Sequence, residues 1–341
     1  MSNILGIDIG QNTAKIVSIS KENDKYFLDF VGEAKTPKLS QPTDNSIKLL
    51  SEIEPVIKSL LNDSKIKSKQ VVASLPEDEV ISRLVRLPPL KDSEIMDALK
   101  FEAETFIPYP LDEVSIDYEI IEKDDAGRLS IFVIAAKNDL IQSYIKLFKN
   151  LGLELLALES PAIALRRSFK LNLPTVTRLL AVDMGEKFSN IFSINNGNVY
   201  FSRSLEVGGE SLTRAISLSL GLDMPSAEEY KKAYGIKETE LEGKIRLAVM
   251  PVLNNIVEEI RKTISLFIED VGKQPEILVL GGGGAGLPGM AEELTKILGI
   301  EVQVLQPFLS IDSTRFTPNF NLNTDGYKYG LSVGLALRGI L

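Results

Sequence analysis

The sequence predicts an α/β fold built by duplication: two related halves, with a compact segment inserted into the first. Three observations carry that prediction. The chain has 341 residues, enough for two domains. Apolar residues make up 44% of it and charged residues 25%, the balance of a protein with a sizeable core. The stretch 6–19 (GIDIGQNTAKIVSI) returns at 181–194 (AVDMGEKFSNIFSI), one offset aligning Asp8 with Asp183, Gly10 with Gly185 and Ile19 with Ile194.

Each copy reads as strand, tight glycine turn, strand, and each runs into a third strand, at 26–32 and at 199–204. Asn196-Gly197 supplies the second copy's hairpin turn, where positive φ is needed. The period is too long for a solenoid, so it marks one duplicated unit. After the first meander, Ile47, Leu50, Ile53, Ile57, Leu60 and Leu61 recur at helical spacing over 46–61. QVVAS at 70–74 reads as a buried strand. From 77 to 150 nothing matches the second half. This segment predicts a strand at 80–87, a Pro88-Pro89 turn and a helix at 93–106 closed by Pro108 and Pro110. Strands at 114–121 and 129–136 follow, then a helix at 140–150 stopped by Gly152.

The second half continues with helices at 210–220 and 227–234. A long helix at 243–271 holds Pro251 near an expected kink or boundary. A strand at 276–280 enters a glycine run, followed by a helix at 288–298, a strand at 302–305 and a closing helix at 330–337. The expected domains are a first half at 1–76 and 151–176, the insertion at 77–150, and a second half at 177–324. The second half carries its own subdomain at about 212–272, and 325–341 returns to the first half.

Composition narrows the chemistry. There is no Cys, His or Trp. That excludes disulfides, thiol nucleophiles and a Ser-His-Asp triad, and leaves oxygens to hold any metal, which favours Mg²⁺. A net charge of −9 without a long basic run argues against nucleic acid as a partner. The opening Met-Ser-Asn leads into a strand rather than a signal peptide, and no apolar run is long enough for a membrane span. The expectation is a cytoplasmic chain.

The Asp8-Ile9-Gly10 turn and its copy Asp183-Met184-Gly185 suit phosphate. Glycine lets the backbone approach an anion, and the amides after the turn can donate to it. The carboxylates suit Mg²⁺ held through water, so Asp8 and Asp183 from opposite halves could share one ion. Lys15 could balance phosphate charge where the second copy has Asn190. A single Asp-x-Gly merely begins a turn; two in duplicated context mark a site. The run 281–286 matches G-x-G-x-x-G in form, but it comes late in the chain and Glu301 precedes the next strand rather than ending it. A glycine shelf for a purine or its α-phosphate suits it better. No G-x-x-x-x-G-K-[ST] sequence occurs. Glu228 and Lys231, three apart on one helix, could grip ribose or base, or simply form a surface ion pair. Glu159 is the one carboxylate that can be placed near the cleft as a catalytic base, and its position suits a structural role equally well.

These pieces in this order resemble the actin-like ATPase superfamily, with its duplicated ribonuclease H-like fold. The inserted segment is similar to the subdomain of the FtsA and PilM families. Residues 101–109 (FEAETFIPY) resemble the EAExxIPF stretch of the PilM family of type IV pilus assembly, with Tyr109 where Phe is usual, and SRLVRLPPL at 82–90 is similar as well. The resemblance implies ATP and Mg²⁺ between the halves. It implies contacts from Gly10, Asn12, Thr13, Asp183, Gly185, Gly208 and Gly209, then from Glu228, Lys231, Gly282, Gly283 and Gly284. ATP hydrolysis is expected to be weak at most, because the sequence shows how phosphates could be held but not which group orients the attacking water. The implied partner is the N-terminal cytoplasmic tail of a PilN-like membrane protein, docked in a groove between the first subdomain and the insertion. That tail would recruit the chain to the inner face of the membrane and link it to motor ATPases or a platform protein; self-association is also open. An FtsA-like division protein and a sugar or small-acid kinase of the same superfamily are the rivals. FtsA-like chains usually end in an amphipathic membrane helix, whereas Arg338-Gly339-Ile340-Leu341 follows the closing helix directly, so no direct anchor is expected.

Overall fold

The expected meander opens the computed structural model, which describes residues 3–37, 46–64 and 66–341. The first two residues of the opening Met-Ser-Asn lie outside those described. Strands β1 (Ile4–Ile9), β2 (Thr13–Glu22) and β3 (Lys25–Lys35) pair antiparallel in order. The single helix expected at 46–61 is two, α1 (Ser46–Glu52) and α2 (Glu54–Ser64). Pro55 explains the break: it has no N–H for the ladder and its ring crowds the preceding turn. Ile53 at the break is fully buried, so the apolar face crosses it intact.

Next come β4 (Gln70–Ser74), then β5 (Val80–Leu87), α3 (Asp92–Ala103), β6 (Val114–Lys123) and β7 (Leu129–Lys137). The last three strands form their own antiparallel sheet, ordered β5-β7-β6. Ile95 and Leu99 of α3 cover one of its faces against Val85, Ile131 and Val133. The chain then makes α4 (Asn138–Asn150), β8 (Glu154–Glu159) and α5 (Pro161–Asn172). The last two were not read from the sequence. Yet α5 carries a recognisable start: Ser160 caps it, its hydroxyl accepting from Ile163 N at 3.4 Å, and Pro161 follows.

The second half is β9 (Arg178–Met184), β10 (Ser189–Asn195), β11 (Asn198–Leu205), α6 (Gly209–Leu220), α7 (Met224–Tyr234) and α8 (Lys244–Val271). Then follow β12 (Ile277–Gly281), α9 (Met290–Leu298), β13 (Glu301–Val304), β14 (Ile311–Asp312), α10 (Leu322–Asp325) and α11 (Gly330–Ala336). Pro251 lies inside α8 rather than at a boundary. It is exposed, so water can take the carbonyl that its missing N–H leaves unpaired.

The main sheets run β14-β3-β2-β1-β4-β8 and β11-β10-β9-β12-β13. In each, a meander is extended by two parallel strands: β1 with β4 and β4 with β8, β9 with β12 and β12 with β13. The duplication therefore covers five strands, not three. Helix α4 leads into β8 as α9 leads into β13, so α4 holds a place in the repeat. Its Leu140, Tyr144 and Phe148 pack with Leu5, Ile7 and Ile57 in the core of the first half. The inserted sheet proper lies between β4 and α4.

Helix α11 returns to the first half and wedges between α5 and β1. A Cβ at Gly334 would meet the Ala164 carbonyl oxygen at 2.1 Å, and one at Gly6 would meet the Ser332 carbonyl oxygen at 2.2 Å. Only glycine allows that approach. One apolar cluster then joins all parts: Val72 and Leu165 of the first half, Ile121 and Phe132 of the insertion, Phe192 and Val199 of the second half. Among the described residues, no helix is long and apolar enough to cross a membrane.

Candidate functional site

A cleft of about 630 Å³ opens off the carboxyl ends of β1, β4, β9 and β12. This is where open α/β sheets place ligands. The two glycine turns face each other across it, with Asn12 Nδ2 3.5 Å from Glu186 Oε2. Their backbones match closely. Gly10 N donates to Thr13 O at 3.1 Å, and Gly185 N donates to Phe188 O at 2.8 Å. Asp8 stands opposite Lys15 in the β1–β2 register as Asp183 stands opposite Asn190 in β9–β10.

Charge separates the two turns. The Lys15 ammonium lies 3.6 Å from Asp8. Burial raises the Asp8 carboxyl above the usual range, and Lys15 opposes it. Among the described residues no basic side chain pairs with Asp183: burial pushes it up to about 6, the Asp8 charge adding and Lys15 opposing. Two largely enclosed carboxyls, with the charge of Asp8 raising Asp183, fit a shared divalent cation. Among the described residues no group of three or more acidic side chains gathers around one point. A cation here would therefore draw its remaining ligands from water and phosphate, which suits Mg²⁺.

The second half supplies the far wall. Gly208 does not line the cleft; a Cβ there would meet Glu186 O at 2.5 Å, so it serves close approach to the second turn. Gly209 N and Glu210 N donate to the carbonyls of Gly185 and Glu186 at 2.9 and 2.8 Å, tying the start of α6 to that turn. Gly209, Glu228 and Lys231 do line the cleft. Lys231 is buried and donates to Gly209 O at 2.9 Å and Thr213 Oγ1 at 2.8 Å, with Glu228 Oε2 at 2.6 Å. Burial opposes ionisation of Glu228, but Lys231 and Thr213 hold its carboxyl below the usual range. This is a wall built by side chains, not a loose surface pair. Gly282, Gly283 and Gly284 complete the lining. Gly282 has φ +74°, and a Cβ there would meet Met184 O at 2.5 Å and Asp183 Oδ1 at 2.7 Å.

The cleft thus brings together Asp8, Gly10, Asn12, Thr13 and Lys15 with Asp183, Gly185 and the α6–α7 wall. Glu159 is a correction. It is buried outside this lining, held by Arg167 and Arg338 as an ion-paired carboxylate. Outside the cleft and engaged on both oxygens, it is not placed to reach an acceptor there. Sequence reasoning missed two residues that line the cleft, Tyr327 and Glu77, and Thr213 behind its wall. Thr213 sits under Lys231, and Tyr327 reaches the glycine shelf at Gly286. Glu77 lines the cleft from the end of β4. Burial pushes its carboxyl up to about 8; a bond from Ser202 opposes this, and the charges of Asp78 and Asp183 add to it. No sequence signal marked Glu77, because only the fold turns it inward.

A family model described as Type IV pilus assembly protein PilM matches residues 6–340. The chain belongs to this family. A solved PilM-PilN type IV pilus biogenesis complex is similar at 26% identity and TM-score 0.83, covering 99% of this chain and 98% of that one. Cell division protein FtsA of Streptococcus pneumoniae is 22% identical over 354 residues, covering 89% of this chain and 75% of that protein. MreB5 of Spiroplasma citri bound to AMPPNP shares the fold, with TM-score 0.54 at 12% identity over 98% of this chain and 95% of that one. The actin-like fold expected from the duplicated turns is therefore the fold of this PilM-family chain, and its place is in type IV pilus assembly.

Proposed function

We propose that this PilM-family chain is an ATP-binding adaptor of the inner-membrane assembly complex of type IV pili, and that it docks the N-terminal cytoplasmic tail of a PilN-like membrane protein. The observation that carries the nucleotide reading is the pair of matched Asp-x-Gly turns facing across one cleft. The backbone amides beyond Gly10 and Gly185 would hold phosphates, Lys15 would balance their charge, and Glu228 and Lys231 would shape the ribose side. Asp8 and Asp183 would hold Mg²⁺ through water; when bound, the ion supplies charge neutralisation between phosphates and carboxylates. With Glu159 clamped by Arg167 and Arg338, the kinase reading loses its base, and ATPase turnover is weak at most.

The partner reading is supported by the similarity to the PilM-PilN complex and by the insertion's surface. Phe101 on α3 is 73% exposed, and Tyr109, also exposed, lies under Lys137 Nζ at 4.1 Å. Both fall in the stretch that resembles the family's own. The tail would bring the chain to the cytoplasmic face of the membrane and join it to the pilus motor or platform. The test is a calorimetric titration of the purified chain with the PilN-like tail peptide, with and without Mg·ATP. Specific binding of both supports the adaptor. Filament pelleting with ATP and no peptide binding would favour the FtsA-like alternative.

A further inference from the structure

Glu77 lines the cleft yet is only 5% exposed. It opens the short 3-10 turn Glu77–Glu79 that carries β4 straight into β5 of the inserted sheet. Its Oε1 accepts from the hydroxyl of Ser202 on β11 of the second half. Its Oε2 is buried and has no partner at hydrogen-bond geometry among the described residues; the Ala162 amide near the carboxyl does not close a bond to it. Buried carboxyl oxygens are nearly always partnered, so an unpartnered one that borders a binding cleft points to a partner arriving with the ligand.

The same strand of the second half is tied to the insertion at two more points. Asn198 Nδ2 donates to Ile121 O at 3.0 Å, and the Tyr200 hydroxyl donates to Glu122 at 3.3 Å. Arg86 of β5 also pairs with Asp270 of α8. None of these three pairs lines the cleft. In Glu77–Ser202 one member, Glu77, does.

We propose that Glu77 is a positioning residue that transmits occupancy of the cleft to the inserted sheet. The inference rests on reading the cleft as a Mg·ATP site. With ligand in the cleft, the Glu77 carboxyl turns so that Oε2, closed to solvent here, accepts from a water of the ligand's hydration shell, which fixes the carboxyl. The fixed carboxyl holds Ser202 on one side and the entry to β5 on the other. Ligand binding and the seating of β5 against the second half then share one free energy of coupling. Since the insertion carries the proposed peptide surface, this places a physical link between nucleotide and partner.

The experiment follows amide hydrogen exchange of the β5 segment with and without Mg·ATP, alongside calorimetric Mg·ATP affinity, in the wild type and in Ser202→Ala, Glu77→Ala and Glu77→Gln. In the wild type, Mg·ATP slows β5 exchange by about fivefold or more, the lower end of ordinary coupling. Ser202→Ala keeps its Mg·ATP affinity, because Ser202 does not line the cleft, but β5 stops responding. Glu77→Gln, which keeps the shape and one acceptor, restores part of the response that Glu77→Ala loses. Substitution from either side of the contact guards against one variant failing to fold. The inference is overturned if wild-type β5 ignores bound Mg·ATP, or if β5 responds in Ser202→Ala and Glu77→Ala as it does in the wild type. Absence of Mg·ATP binding to the wild type, read by calorimetry alone, would instead overturn the cleft reading and this inference with it.

Discussion

The two glycine turns share a backbone and differ in charge. Both place an aspartate before the glycine, and both close with the same amide-to-carbonyl bond. In the first, Lys15 sits across the register and offsets Asp8. In the second, that position is Asn190, whose buried Oδ1 has no partner among the described residues, and Asp183 faces the low-dielectric cleft without a cation. Duplication supplied two turns of one backbone geometry. Divergence at one register position left the second without a basic side chain across from its aspartate among the described residues.

The largest expected effect follows from that asymmetry. Asp183→Ala should weaken Mg·ATP binding near the upper end of the ~10–100-fold range for residues acting through water, and Asp8→Ala nearer the lower end. Peptide binding should respond less directly. Calorimetry on both variants checks the order; unchanged ATP affinity in Asp183→Ala would contradict the assigned site.

Stability should move the other way. Asp183 titrates at about 6 in the fold against 3.8 as a free side chain. The native state therefore binds this proton more tightly, and in the absence of a cation stability falls as pH rises from about 4 through 6. Asp183→Asn removes that cost, so apo stability at pH 7 should rise by up to about 3 kcal/mol, the gain vanishing near pH 4. Thermal melts at the two pH values, without Mg²⁺, make the measurement. A variant no more stable than the wild type at pH 7 would mean that Asp183 is not held uncompensated.

A smaller effect is expected at the far wall. Lys231→Met leaves the Gly209 carbonyl, Thr213 and Glu228 without their buried donor. Lys232, 3.1 Å from Glu228, softens the loss, so about 1–3 kcal/mol of destabilisation is expected. A denaturant melt reads it.

How much of this was legible follows from where each signal lies in the chain. The duplication showed because Asp, Gly and the flanking strands all recur within one short stretch. Its extension to β4, β8, β12 and β13 did not show, since β4 and β12 are buried apolar runs without a motif and β8 and β13 are short edge strands that repeat no residue pattern. Spacing found Glu228 and Lys231, but their burial depends on Thr213 from the neighbouring helix α6. Glu159 misled for the same reason, as its clamp Arg338 lies 179 residues away and arrives only when α11 returns. The break before Pro55 was readable locally and was masked by strong periodicity across it.

The last comparison is within the glycine shelf, where neighbouring residues separate what the fold needs from what a ligand would need. Gly282 has φ +74° and lies against Met184 and Asp183, so Gly282→Ala is strained and should destabilise the second turn itself. Gly283 has nothing within 4 Å of where its Cβ would lie, and it lines the cleft. The protein gives no packing reason for glycine there. Gly283→Ala should therefore leave stability within about 0.5 kcal/mol of the wild type, as an unstrained surface change does. If a purine or α-phosphate rests on the shelf, the same methyl should still lower Mg·ATP affinity, through the ligand alone. Equal affinity in Gly283→Ala and the wild type would move the nucleotide off the shelf while leaving both Asp-x-Gly turns in place.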